Sequence, residues 1–184
     1  MSGYDGLTVG PSRGDGVRIR LEGKPTYEYD YTMLCGGWMR LDTPGTTRPD
    51  IEEVTIDTDK MAAAPNLTSI RYVRPLDFPY SITDSPAGDL YEMTKISVKY
   101  YLDGVGDDIT IYLESYPKTG GSVTIIKTWN ISGTIGALDT YTDSSVATVL
   151  DFDSNTYRLR INMNNFSIVG VGPILFQISR ALVE

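Results

Sequence analysis

Asp108-Ile109-Thr110-Ile111-Tyr112-Leu113-Glu114-Ser115-Tyr116 decides the fold class. Ile109, Ile111 and Leu113 alternate with Thr110, Tyr112 and Glu114. That is the period of a strand with one face in a core and the other turned outward. The run before it, Met93 to Leu102, puts Ile96, Val98 and Tyr100 on one face. Between them lies Asp103-Gly104-Val105-Gly106-Asp107, where glycine can supply positive φ for a reversal. The two runs therefore read as a hairpin, with Asp108–Tyr116 as the return strand. After the turn Pro117-Lys118-Thr119-Gly120-Gly121 comes a third strand, Val123 to Ile131. A fourth, Thr156 to Met163, turns Tyr157, Leu159, Ile161 and Met163 inward and Arg158, Arg160 and Asn162 outward. Pro173 to Val183 closes the set, with Ile174, Phe176 and Ile178 sharing a face.

Upstream the texture changes. Residues 1 to about 26 are rich in Gly, Pro, Ser and charge, and read as an extended arm ordered by a partner or a neighbouring subunit. Within it, Val17-Arg18-Ile19-Arg20-Leu21 alternates as a pairing strand would. Tyr27-Glu28-Tyr29-Asp30-Tyr31 and Ser69-Ile70-Arg71-Tyr72-Val73 show the same alternation. Asp57 to Ala64 is the one stretch that reads as helix, a turn or two ended by Pro65. Closely spaced strands without amphipathic helices predict an all-β fold, an antiparallel β-sandwich of jelly-roll type with an extended N-terminal arm. The expected division is an arm with lead-in strands over 1–45 and one jelly-roll sandwich over 46–184. A parallel α/β sheet would need a helix between successive strands.

Composition excludes several function classes. The 184 residues include 16 Lys plus Arg against 24 Asp plus Glu, for a net charge of -8. Arg158 and Arg160 make no basic patch, so binding to nucleic acid is not expected. No apolar run reaches the ~20 residues of a membrane helix, and the opening MSGYDGLTVGPSRGDG lacks the pattern of a signal peptide. One cysteine, Cys35, allows no intrachain disulfide. The absence of histidine removes His-based zinc sites, the usual nucleophile pairs and the usual base near neutral pH. No catalytic residue, cofactor or metal ligand is expected.

The remaining motifs have plain readings. Arg13-Gly14-Asp15 spells an integrin-recognised tripeptide but reads as a turn in the arm. Asn66-Leu67-Thr68, Asn130-Ile131-Ser132 and Asn165-Phe166-Ser167 are acceptor-type triplets that a Ser-, Thr- and Asn-rich β chain readily produces. Asp151-Phe152-Asp153-Ser154-Asn155 opens like an EF-hand loop, but Thr156 and Asn162 occupy the positions that need Gly and Glu. Asp103, Asp107 and Asp108 read as a solvated turn. Glu52, Glu53, Asp57, Glu92 and Glu114 lack the spacing of a catalytic acid pair. Gly104-Val105-Gly106 has no following helix to cradle a phosphate.

Tyrosine is abundant, 13 residues beside 4 Phe and 2 Trp. It favours sheets but also interfaces, since it joins an apolar ring to a wet hydroxyl. Tyr27, Tyr29 and Tyr31 on one strand face, Ile19 and Leu21 of the arm, and Tyr101 and Tyr112 are the candidate interface residues.

From about Leu67 to Glu184 the chain resembles the small jelly-roll domains of tailed-bacteriophage virion proteins: capsid decoration (cement) proteins, head fibres and tail-fibre domains. The resemblance lies in the order of segments. These are Tyr100 to Ile111, then Ile109 to Tyr116, Lys118-Thr119-Gly120-Gly121-Ser122-Val123 and Thr128-Trp129-Asn130-Ile131-Ser132-Gly133. Asp153-Ser154-Asn155-Thr156-Tyr157-Arg158-Leu159-Arg160-Ile161 and Leu175-Phe176-Gln177-Ile178-Ser179-Arg180 follow. It implies a β-sandwich that commonly trimerises and has no enzymatic activity, and it carries over no functional residue. The expectation is a homotrimeric decoration protein bound to the major capsid protein or another virion protein, made in the host cytoplasm and resident in the particle. The short chain favours this over a tail fibre with a long shaft. A receptor- or carbohydrate-binding tip is the alternative.

Overall fold

Residues 7–10, 18–21, 27–34, 38–40, 52–65, 70–76, 90–164 and 168–181 are described in a computed structural model of the chain. Among them there are strands and no helix. The strands are β1 (Leu7–Gly10), β2 (Arg18–Leu21), β3 (Tyr27–Met33), β4 (Met39–Arg40), β5 (Glu52–Ile56), β6 (Asp59–Pro65) and β7 (Ile70–Pro75). β8 (Leu90–Leu102), β9 (Asp108–Pro117), β10 (Thr124–Ile131), β11 (Leu138–Asp143), β12 (Thr148–Leu150), β13 (Asn155–Asn164) and β14 (Ile168–Ala181) complete them.

The pairing is that of a long ribbon rolled up. β9 pairs with β10, β8 with β11 and β12, β7 with β13, and β6 with β14, all antiparallel. Rolling this ribbon brings β13 beside β9 and β14 beside β8. The result is two sheets, β10-β9-β13-β7-β4 and β11-β8-β14-β6-β5, with β12 added on β8 and β3 on β14. Eight strands, β6 to β11 with β13 and β14, distributed over two sheets in this way make a jelly roll. The lead-in strands β3 and β4 thus sit in the two sheets. β1 and β2 pair with each other in a sheet of their own.

The core lies between the sheets and follows the strand period. Ile109, Ile111 and Leu113 of β9 and Leu159 and Ile161 of β13 belong to one buried cluster. Ile96 and Val98 of β8 and Ile174, Phe176 and Ile178 of β14 complete it from the other sheet. β14 runs unbroken from Ile168, five residues earlier than its pattern indicates, because Pro173 falls where the register with β8 shifts between Val171 and Ile174. A bulge is where a central strand tolerates proline, which has no N–H to give the ladder.

Two expectations are corrected. β8 and β9 form no hairpin. They stand in opposite sheets, and the Asp103–Asp107 turn carries the chain across, with Gly106 at φ 90° and Asp107 N–H bonded to the Gly104 carbonyl at 3.2 Å. Each strand has one apolar face, and these faces meet across the core rather than lying side by side. Residues 57–64 form no helix either. Asp57 and Thr58 are the turn of the β5–β6 hairpin, and Ala62 and Ala63 pair with Val171 and Gly170. Alanine's helix propensity yields here to tertiary fit. The outer face is crowded at this point: a Cβ on Gly170 would lie 3.0 Å from Ile56 Cδ1 and 3.5 Å from Met61 Sδ.

Asp57 has φ 59°, a left-handed conformation that Asp and Asn tolerate and β-branched residues do not. Asp57→Val should cost about 1–2 kcal/mol, and Asp57→Asn should be close to neutral. Thermal melts of the two variants check this, and equal melting temperatures would contradict the strained turn.

Candidate functional surface

The outer face of the five-stranded sheet carries the most organised group of polar and aromatic side chains. Strand register lays it out in rows. Thr128, Tyr112, Arg160, Val73 and Met39 make one row across β10, β9, β13, β7 and β4. Ile125, Glu114 and Arg158 make the next, and Asn130, Thr110 and Asn162 the third.

Glu114 is the pivot. Its oxygens accept from Arg158 Nε at 2.7 Å and Arg160 Nε at 2.6 Å. The Arg160 guanidinium lies 3.8 Å from the centre of the Tyr112 ring, and that of Arg158 lies 4.5 Å from Tyr116. These are cation–π distances. Arg160 Nη1 also donates to Asn162 Oδ1 at 3.0 Å, and Thr110 Oγ1 to Asn130 Oδ1 at 3.3 Å. Glu114 occupies an outward position as its strand phase requires, yet it is only 3% exposed. The two arginines cover it, each folded along the sheet onto a tyrosine. Glu114, Arg158 and Arg160 together carry one net positive charge, and with the two tyrosines they make a preorganised layer of planar groups.

The sandwich is tied shut beside this face. Asp143 of β11, in the other sheet, accepts from Trp129 Nε1 of β10 at 3.0 Å and faces Lys127 Nζ at 3.9 Å. Lys127 sits next to the β10 bulge between Ile125 and Lys127. A bulge and an inward-turned lysine are two ways of blunting an edge strand. At the next turn Asp139 accepts from Tyr100 Oη at 3.0 Å and Thr134 Oγ1 at 2.8 Å.

Bonds from backbone N–H groups lead the causes that hold two of these carboxyls below the usual range, Ser145 for Asp143 and Thr140 for Asp139. Asp151 is held low by Ser154. A carboxyl depressed in the folded state stabilises above its unfolded value, 3.8 here, and that contribution is lost as pH falls through the folded value. The urea midpoint should therefore hold steady from pH 7 to about 5 and fall below about 4. Asp143→Asn should flatten part of that fall, and an unchanged acid limb in this variant would contradict the role given to Asp143.

The expected interface residues fall in three places. Tyr112 belongs to the outer face just described. Tyr101 lies on β8 in the other sheet, where its hydroxyl donates to Asp103 at 3.0 Å, so the fold does not bring Tyr101 and Tyr112 together. Tyr27, Tyr29 and Tyr31 occupy β3 register positions opposite Arg180, Ile178 and Phe176. Ile19 and Leu21 pair with Val9 and Leu7 inside the chain. The weighed carboxylates are also dispersed: Glu114 is held by arginines, Glu92 is in the other sheet, Asp57 is in a turn, and Glu52 and Glu53 are on β5. Asp107 accepts from Gly104 N–H at 2.9 Å, and Asp151 from the N–H groups of Asp153 and Ser154. Among the described residues no three Cys, Asp or Glu side chains gather as a metal site. Arg13-Gly14-Asp15, Cys35 and the triplets at 66–68 and 165–167 lie outside the described residues. Nothing in the spacing of Glu114, Arg158 and Arg160 announces their cluster. Its signal is the conjunction of one outward acid on a strand with two outward arginines on another.

No family model and no curated protein matches the chain. Among solved structures it is similar to a carbohydrate-binding module specific for non-crystalline cellulose, with 16% identity, 76% of this chain and 84% of that one covered, and a TM-score of 0.42. It is similar to a structure of infectious bursal disease virus, at 8% identity and a TM-score of 0.41. There 98% of this chain covers 43% of the other, so it spans less than half of that protein. A family 11 carbohydrate-binding module from Clostridium thermocellum follows at 13% identity and a TM-score of 0.39, covering 88% of this chain and 91% of that one. Likeness at this level carries nothing about ligand or partner. What identifies the chain is its own strand order, that of an antiparallel jelly-roll sandwich.

Proposed function

We propose that the chain is a non-enzymatic structural protein of a tailed-phage virion, a homotrimeric decoration subunit that binds the major capsid protein and strengthens the shell. The observation that supports this reading best is the division between a jelly roll with a filled core and the β1–β2 hairpin, which forms a separate two-stranded sheet. A two-stranded ribbon is marginal in water by itself, so it suits a segment completed by a neighbour. The resemblance of its strand segments, in their order, to phage jelly-roll virion proteins points the same way. Many identical weak contacts around a shell add through avidity, so no single contact needs to be tight. In this reading the protein takes no cofactor, is made in the host cytoplasm and resides on the particle.

Electron microscopy of the particle with which the protein copurifies tests the reading. Density on the shell with threefold symmetry is the expected result, and density confined to a tail tip would contradict it. The outer-face cluster favours a second reading, a receptor- or carbohydrate-binding module. Tyr rings, guanidiniums and amides in rows are the groups that stack on and hydrogen-bond to sugars. Binding to a glycan array that is lost in Tyr112→Ala would select it.

A further inference from the structure

We propose that β2 of one subunit adds to the free edge of β3 in a neighbouring copy and extends its seven-stranded sheet across the subunit boundary; this rests on the assembly reading above and names the contact that makes it. β3 pairs with β14 on one side and, among the described strands, with none on the other. β2 likewise has β1 on one side only. An unpaired strand edge is a template for another strand.

The two sequences match at the period of a sheet. β2 carries Arg18 and Arg20 at alternate positions with Ile19 and Leu21 between and after them. β3 carries Glu28 and Asp30 at alternate positions among Tyr27, Tyr29 and Tyr31. Setting Ile19 opposite Tyr29 puts both arginines opposite both acids, whichever way the strands run. It also puts the remaining β2 residue, Leu21, in the tyrosine set. Opposite charges and apolar–aromatic pairs directly across a ladder are both stabilising. A one-residue slip would place arginine against tyrosine and acid against an apolar residue, so the register is specified. In the register Glu28 and Asp30 fall opposite Ser179 and Gln177, and Asp30 is exposed and accepts from Gln177 Nε2 at 3.4 Å. Tyr29 and Tyr31 fall opposite Ile178 and Phe176, so Ile19 and Leu21 would prolong the apolar face.

Within one chain the hairpin and β3 belong to different sheets, and a second copy supplies what each lacks. Every subunit then gives one hairpin and receives one. Such a head-to-tail contact makes a ring where its rotation closes and a filament where it does not, and closure at three copies is what the trimer reading requires.

Full-length chains with Cys35→Ser test this. One tagged form carries Ile19→Cys and another Tyr29→Cys, and the two are co-expressed. A disulfide-linked pair of differently tagged chains on a non-reducing gel is the expected result. Arg18→Glu with Arg20→Glu should weaken association at least tenfold, and adding Glu28→Arg with Asp30→Arg should restore it, with unchanged far-ultraviolet circular dichroism throughout. Closure of a doubly substituted chain on itself, with only monomers on the gel, would overturn the exchange. A trimer by light scattering that neither cross-links nor responds to charge reversal would overturn the strand addition and leave the assembly reading standing. A monomer by light scattering would remove both.

Discussion

Leu159→Ala should lower the unfolding free energy by about 2–5 kcal/mol, the range for large-to-small changes at closed core positions. Leu159 is fully buried and sits opposite Leu113 of β9, which is also fully buried. Its strand is central to the five-stranded sheet, with β9 on one side and β7 on the other, so backbone collapse into the space would disturb two ladders. Ile161→Ala should behave alike, since Ile161 pairs with the buried Ile111. Urea unfolding checks both. A loss under about 0.5 kcal/mol would show that these residues do not face a packed core.

Glu114→Ala should be the most damaging change outside the core. It leaves two guanidiniums side by side without their carboxylate, and breaking a buried ion pair from one side costs about 3–5 kcal/mol. Arg158 and Arg160 keep side-chain exposures of 25% and 14%, so water can rehydrate them in part. The expected loss is therefore smaller, about 2–3 kcal/mol. Glu114→Gln keeps the shape and one acceptor and should cost less. Replacing Glu114, Arg158 and Arg160 together by apolar residues of similar size should recover most of the stability, because no orphaned charge remains. If Glu114→Ala unfolds at the wild-type urea concentration, the carboxylate is not holding the face together.

The fold was largely legible because a strand in a two-layer sandwich repeats every two residues. The inward sets on β8, β9, β13 and β14 all read correctly from Ile96, Ile109, Leu159 and Phe176 with their neighbours. β11 was missed for the converse reason. It is an edge strand in which Leu138, Asp139, Tyr141 and Asp143 are half-buried, and no apolar alternation marks it. Which strands pair was less legible than where they lie. Period-2 alternation tells which face of Met93–Leu102 and Asp108–Tyr116 is apolar, but a hairpin and a crossover between sheets present the same alternation. The helix expected at residues 57–64 failed because Ala62 and Ala63 pair in register with Val171 and Gly170 of β14, a long-range demand that local propensity does not carry. The candidate surface was half legible. Tyr112 and the outward arginines were placed correctly, but Glu114 was placed in water, because the cross-strand register that brings Arg158 to it is set 44 residues away in the chain.

The proposed trimer is tested most directly by the mass of the purified protein in solution. Light scattering at micromolar concentration should give three times the chain mass of 20.3 kDa, and a particle of 20.3 kDa at that concentration would contradict it.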